Sequence, residues 1–160
     1  MITFTQLREG ITKPVAGKLG DCYEVAGRDM LDLDDKIAKA GYKMVHTFVR
    51  GEGPLEGRRF GHAFNMFGDL VFDNSNGKKI MMRKANYFKK GDINPKEKGA
   101  YVEYDKKESL LKLAKYKHWG PWDLDESLAE EIPDESREIG KKKLRISPKI
   151  LQIIKDKIDG

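Results

Sequence analysis

Two apolar runs, Phe60 to Phe67 and Leu70 to Asp73, stand on either side of Gly68-Asp69. A two-residue link that begins with glycine is a hairpin signal, because it turns the chain with the twist that paired strands require. The middle of the chain is thereby committed to an antiparallel sheet. The same turn decides which side chains share a face. With Phe67-Gly68 as the turn, His62 stands directly opposite Asp73; with Gly68-Asp69 as the turn, the two are offset by two positions. In both registers they share a face, roughly 5–8 Å apart, along with Phe64, Met66 and Val71. Asn74 and Asn76 would point the other way in an unbroken strand. A three-residue loop would flip one strand and undo the pairing.

The rest of the chain reads as α+β. Pro14, Gly17 and Gly20 argue for loop or irregular turns over residues 1–19. Cys22, Val25, Ala26, Met30, Leu33 and Ile37 then recur at helical spacing, with Asp21 at the N-cap position and Gly41 as a stop. Asp32, Asp34 and Asp35 mark a break within this helix. Tyr42 to Arg50 reads as a strand, followed by the glycine-rich loop Gly51 to Gly57. Asn74 to Gly77 is a turn before a strand over Lys79 to Lys84, and Tyr101 to Tyr104 is a short further strand. Asp105 and Glu108 form a capping-box pattern for a helix that ends near His118, before Gly120-Pro121. Residues 125–146 are mostly charged and read as a linker. Ser147-Pro148 then opens a last helix, whose apolar residues Ile150, Leu151, Ile154 and Ile158 are expected to dock on the core. The division is therefore a core over residues 1–124, then a charged linker and an amphipathic helix over 125–160.

At 160 residues the chain is long enough for one self-sufficient core. It has no apolar run of the roughly 20 residues a membrane helix needs, and Met1 to Phe4 do not open a signal peptide. One cysteine makes no internal disulfide, which favours the cytoplasm. The net charge of +5 is modest. Only Lys141-Lys142-Lys143-Leu144-Arg145 is a basic cluster, so nucleic acid is a weak candidate partner. No pair of histidines has metal-ligand spacing, and neither a metal nor a cofactor is expected.

The chemistry centres on Cys22. A cysteine nucleophile acts as a thiolate, and a helix N-terminus or a neighbouring imidazolium favours that form. Cys22 begins the first predicted helix, where free backbone N–H groups also suit an oxyanion. A base oriented by a third group completes such a site. His46 lies inside an apolar strand and His118 at a helix end. His62 follows Gly61, where glycine permits close approach of a ligand or a second backbone. Asp73 shares its face. Cys22, His62 and Asp73 are therefore the candidate catalytic residues.

Gly20-Asp21-Cys22-Tyr23 resembles the cysteine motif of papain-like enzymes, with glycine two before the nucleophile and an aromatic after it. Gly61-His62-Ala63-Phe64 and Gly68 to Asp73 resemble the histidine and aspartate strands of the transglutaminase-like branch. The resemblance covers about residues 20–85. It implies a helix carrying the cysteine, packed on an antiparallel sheet that carries histidine and aspartate. It also implies a cysteine hydrolase or acyl-transferase (peptidase, deamidase or transglutaminase-like) acting on an amide or thioester of a peptide or protein. Phe64 stands where such sites often have tryptophan. Gln6 is the one glutamine before Cys22, 16 residues away, so a second oxyanion donor is unassigned. His118-Trp119-Gly120-Pro121-Trp122, with Tyr87-Phe88 before it, is similar to uncharacterised bacteriophage proteins. That likeness implies a phage or prophage origin and a host cytoplasm.

Arg58 and Arg59, at the end of the glycine-rich loop, together with Phe64 and Trp119, are candidate substrate-binding residues. The competing expectation for the arginines is a solvated hairpin loop, and for Trp119 core packing. The rival function is a non-catalytic binding protein, contacting nucleic acid or a host protein through segment 141–157 and the Arg58-Arg59 loop.

Overall fold

A computed structural model describes residues 21–51, 57–130 and 145–160. The segment 1–19, the centre of the glycine-rich loop and the basic run Lys141–Lys143, all read above from sequence, fall outside the described residues. The helices are α1 (Cys22–Asp32), α2 (Asp35–Lys39), α3 (Lys84–Gly91), α4 (Lys106–Tyr116) and α5 (Pro148–Asp159), with a 3-10 turn at Glu126–Leu128. The strands are β1 (Tyr42–Arg50), β2 (Arg59–Phe67), β3 (Leu70–Asp73), β4 (Ile80–Arg83) and β5 (Tyr101–Tyr104). They form one antiparallel sheet in the order β4-β3-β2-β1-β5. The class is α+β, and the cysteine opens the first described helix.

Strand alternation sorts the side chains onto two buried faces. Met44, Ala63 and Phe72 turn toward α1, α4 and α5, where they pack with Ala26, Met30, Leu110, Leu113 and Ile154. Val45, Val49, Phe64, Met66 and Val71 turn the other way and pack beneath Tyr87 and Phe88 of α3. The charged region after residue 124 does not end the core. Ile146 and Ile154 are buried in the same cluster as Cys22, and α5 docks as its apolar pattern predicts.

Several local expectations are resolved by capping chemistry. The break expected at Asp32, Asp34 and Asp35 divides the helical stretch into α1 and α2. Leu33 and Asp34 are extended, with ψ 135° and 133°, and the Asp34 carboxylate accepts from Lys36 N at 2.8 Å, starting a new helix. Asp105 and Glu108 form the expected reciprocal capping box. Ser147 caps α5, with Pro148 in its first turn. Asp21 differs: it holds the N-cap position but its side chain caps nothing on α1. Its Oδ1 accepts instead from Asn76 N at 2.8 Å, which ties the start of α1 to the β3–β4 turn. Helix α3 has no counterpart in the sequence reading, which ended that region as a strand at Lys84.

Candidate active site

The hairpin closes at Gly68-Asp69, since Phe67 pairs with Leu70 and Asn65 with Phe72. This is the register in which His62 and Asp73 share a face with an offset of two. The side chains meet: His62 Nε2 lies 2.8 Å from Asp73 Oδ2. A carboxylate can only accept, so Nε2 carries the proton and donates. Asp73 is fixed from its other side as well. Ser75 donates to Oδ1 through its backbone N at 3.1 Å and through Oγ at 2.6 Å. Tyr87 O–H donates to Oδ2 at 2.6 Å. Burial pushes the Asp73 carboxyl up, but the His62 charge and the bonds from His62, Ser75 and Tyr87 outweigh it and hold the group well below the usual carboxylate range.

The second ring nitrogen, Nδ1, is left for Cys22. The β2–β3 ladder spans only 65–67 against 70–72, so residues 59–64 of β2 have no strand on that side among the described residues. Helix α1 packs on the sheet face opposite α3, and its first residue, Cys22, is a charge and hydrogen-bond partner of His62. Burial alone would depress the imidazole. The Cys22 charge, the Asp73 charge and side-chain hydrogen bonds to both raise it to about 10. Cys22, His62 and Asp73 are 7%, 8% and 6% exposed, so the cluster is sheltered from bulk water. Gly61 is needed for a reason unlike the one its sequence suggests. The space a Cβ would fill there is occupied by the hydroxyl of Tyr23, a side chain of α1 rather than a ligand. The close approach that glycine permits is thus helix to strand, and it seats α1 beside His62.

The other histidines are elsewhere. His46 is fully buried between Tyr23, Tyr104 and Trp122, with ring centroids 4.8–5.1 Å away. Neither of its nitrogens has a hydrogen-bond partner, and burial drives its pKa down to about 3. His118 is partly buried at the end of α4, where its Nδ1 accepts from Gly120 N at 3.1 Å.

The candidate substrate-binding residues are not brought together. Phe64 and Trp119, each 1% exposed, lie in the two core clusters on opposite faces of the sheet. Aromatic rings read as ligand surface are here core packing. Trp119 meets Gly27 of α1 so closely that a Cβ there would stand 2.7 Å from the indole Cε3. Arg59 is half-covered and engaged. It donates from Nη1 to Glu97 Oε1 at 3.0 Å and from Nη2 to Oε2, and its guanidinium lies 5.3 Å over the Phe48 ring. Arg58 is exposed. Ser75 and Tyr87 are the site residues that sequence reasoning missed. Ser75 was read as turn. Tyr87 sits on α3, and the signal that could have found it is the pairing of adjacent aromatics, Tyr87-Phe88, right after a strand that neighbours β3.

Among the described residues, no cluster of three or more His, Cys, Asp and Glu side chains is arranged to hold a metal ion. No helix among them is long and apolar enough to cross a membrane. The arrangement can store a proton on an imidazole between a thiol and a fixed carboxylate, in a dry corner of the fold. Compared with known proteins, the chain matches no family model, no curated protein and no solved structure.

Proposed function

We propose that the chain is a cysteine-dependent hydrolase or acyl-transferase that acts on an amide or thioester of a peptide or protein. The observation that carries this reading is the buried His62–Asp73 pair, with the imidazole raised to about 10 by the Cys22 and Asp73 charges. An imidazole beside the sulfur and held by a carboxylate is the base that cysteine attack on a carbonyl requires. In this mechanism the Cys22 sulfur attacks the carbonyl carbon, forming a C–S bond while the carbonyl π pair moves onto oxygen. The backbone N–H of Cys22, at the start of α1, stabilises that oxyanion. The oxyanion collapses, the bond to the leaving amine or thiolate breaks, and His62 gives its proton to the leaving group. Water or an amine then attacks the acyl-enzyme, with His62 as base. Asp73 keeps the ring oriented through Nε2–H.

On this reading, the cysteine-bearing helix on an antiparallel sheet is a papain-like or transglutaminase-like core. The lone cysteine is in keeping with a cytoplasmic site of action. An activated ester tests the chemistry without knowledge of the natural substrate. Incubation with p-nitrophenyl acetate is expected to give a burst of nitrophenolate and an acetyl adduct that intact mass and peptide mapping assign to Cys22. The adduct is expected to vanish in Cys22→Ala and to form slowly in His62→Ala. Acylation spread over lysines, with no burst and no dependence on Cys22, would overturn the proposal.

A further inference from the structure

The His62–Asp73 pair is a triangle rather than a line. Tyr87 Oη lies 2.6 Å from Asp73 Oδ2 and 3.1 Å from His62 Nε2, while Nε2 lies 2.8 Å from the same Oδ2. Tyr87 has one hydroxyl proton, and burial followed by the Asp73 charge raises its pKa far above the ordinary phenol value, so it stays a neutral donor. That proton goes to Asp73. The lone pairs of Oη are then what His62 Nε2–H meets, and the ring N–H is shared between a carboxylate oxygen and a phenol oxygen.

From this geometry we infer that Tyr87 is a positioning residue, a second direct acceptor for His62 that holds Nε2 in its protonated form and leaves Nδ1 to exchange a proton with Cys22. The inference rests on the proposed cysteine chemistry. Tyr87 suits the task because its own ring is immobilised. It packs 4.8 Å from Phe64 and is 9% exposed. The helix that carries it is pinned at its start by Lys84 N donating to Asp69 O at 2.8 Å, in the turn of the very hairpin that bears His62 and Asp73. That bond ties the start of the helix to the hairpin turn, close to the residues that form the triangle.

A consequence separates a direct role from one exerted through Asp73. If Tyr87 merely orients Asp73, it has nothing left to orient once that carboxylate is removed. If it accepts from His62 itself, it still fixes the ring in Asp73→Ala. The measurement is the rate of Cys22 carboxamidomethylation by iodoacetamide across pH 5–10 in wild type, Tyr87→Phe, Asp73→Ala and the double variant. Thermal melts run in parallel. Tyr87→Phe keeps the ring and removes one atom. It is expected to slow labelling at neutral pH by about fivefold, the worth of one net hydrogen bond. The midpoint of the pH profile is expected to move upward, because the imidazolium loses an acceptor. The same change is expected to slow labelling further in the Asp73→Ala background.

Side-chain nitrogen NMR of wild type is expected to show His62 protonated at Nε2 whenever the ring is neutral, and this reading needs no variant to fold. An unchanged rate and midpoint in Tyr87→Phe, or no added effect beyond Asp73→Ala, would overturn the inference while leaving the enzyme reading intact. Slow wild-type labelling with no response to His62→Ala would instead remove the reading on which it rests.

Discussion

His62 and His46 are two buried imidazoles shifted in opposite directions, and the contrast shows what a neighbour is worth. Both lose solvation. His62 recovers it from Cys22 and Asp73 and stands at about 10, whereas His46 sits among aromatic rings without a hydrogen-bond partner and falls to about 3. Proton NMR of His62 should therefore show no titration near 6.5. Asp73→Asn, which removes one of the raising charges, should lower the His62 pKa. A His62 that titrates near 6.5 in wild type would contradict the electrostatic picture. The pairing of His62 with Asp73 was legible in the sequence, because a two-residue turn dictates which residues share a strand face. The Tyr87 contact was not: no pairing rule reaches from a helix to a strand face. Phe64 and Trp119 each admit a ligand-binding and a core reading from sequence, and their burial favours the core one. An aromatic side chain has the same composition signal in a pocket as in a core, and only burial distinguishes them.

Elements became legible where local chemistry decides them. Asp105 with Glu108, and Ser147 with Pro148, announce their helices because the side chains answer specific orphan backbone groups. Helix α3 is silent by the same logic. Its N-cap is Arg83, which supplies no side-chain bond, and only Tyr87 and Phe88 are buried along its length. Its short amphipathic pattern follows β4 without a break. Asp21 misleads in the opposite sense, since a residue of the right type at the cap position bonds a distant turn. Contact between elements yields a sharp stability test. Gly27→Ala improves helix propensity by up to about 1 kcal/mol. It also drives a Cβ to 2.7 Å from a buried indole, and overpacking of this kind costs about 1–3 kcal/mol. The expected net effect is a loss of up to about 2 kcal/mol, read from denaturant unfolding. A stabilised Gly27→Ala would mean that Trp119 does not bear on α1. Ile154→Ala, at the buried face of α5, should cost about 2–5 kcal/mol. A negligible loss there would show that α5 is not part of the core.

Across the whole molecule the two histidines set opposing slopes in stability against pH. His62 is raised, so its contribution is full below its unfolded value near 6.5 and is lost as pH rises through about 10. His46 is lowered, so the folded state resists a proton that the unfolded chain takes up, and stability falls as pH drops from 6.5 toward about 3. Asp73 adds a further loss below its ordinary value of 3.8. The His46 contribution makes the melting temperature fall as pH drops below 6.5, and His46→Phe should flatten that acid slope. The sheet, its faces and the docking of α5 position one sheltered cluster, and the chemistry assigned to that cluster is the central claim. Its most direct test is the rate of alkylation of Cys22 by iodoacetamide at pH 7 in wild type and in His62→Ala. Labelling is expected to be rapid in wild type and slowed at least tenfold when His62 is removed. Slow labelling in wild type that His62→Ala leaves unchanged would contradict it.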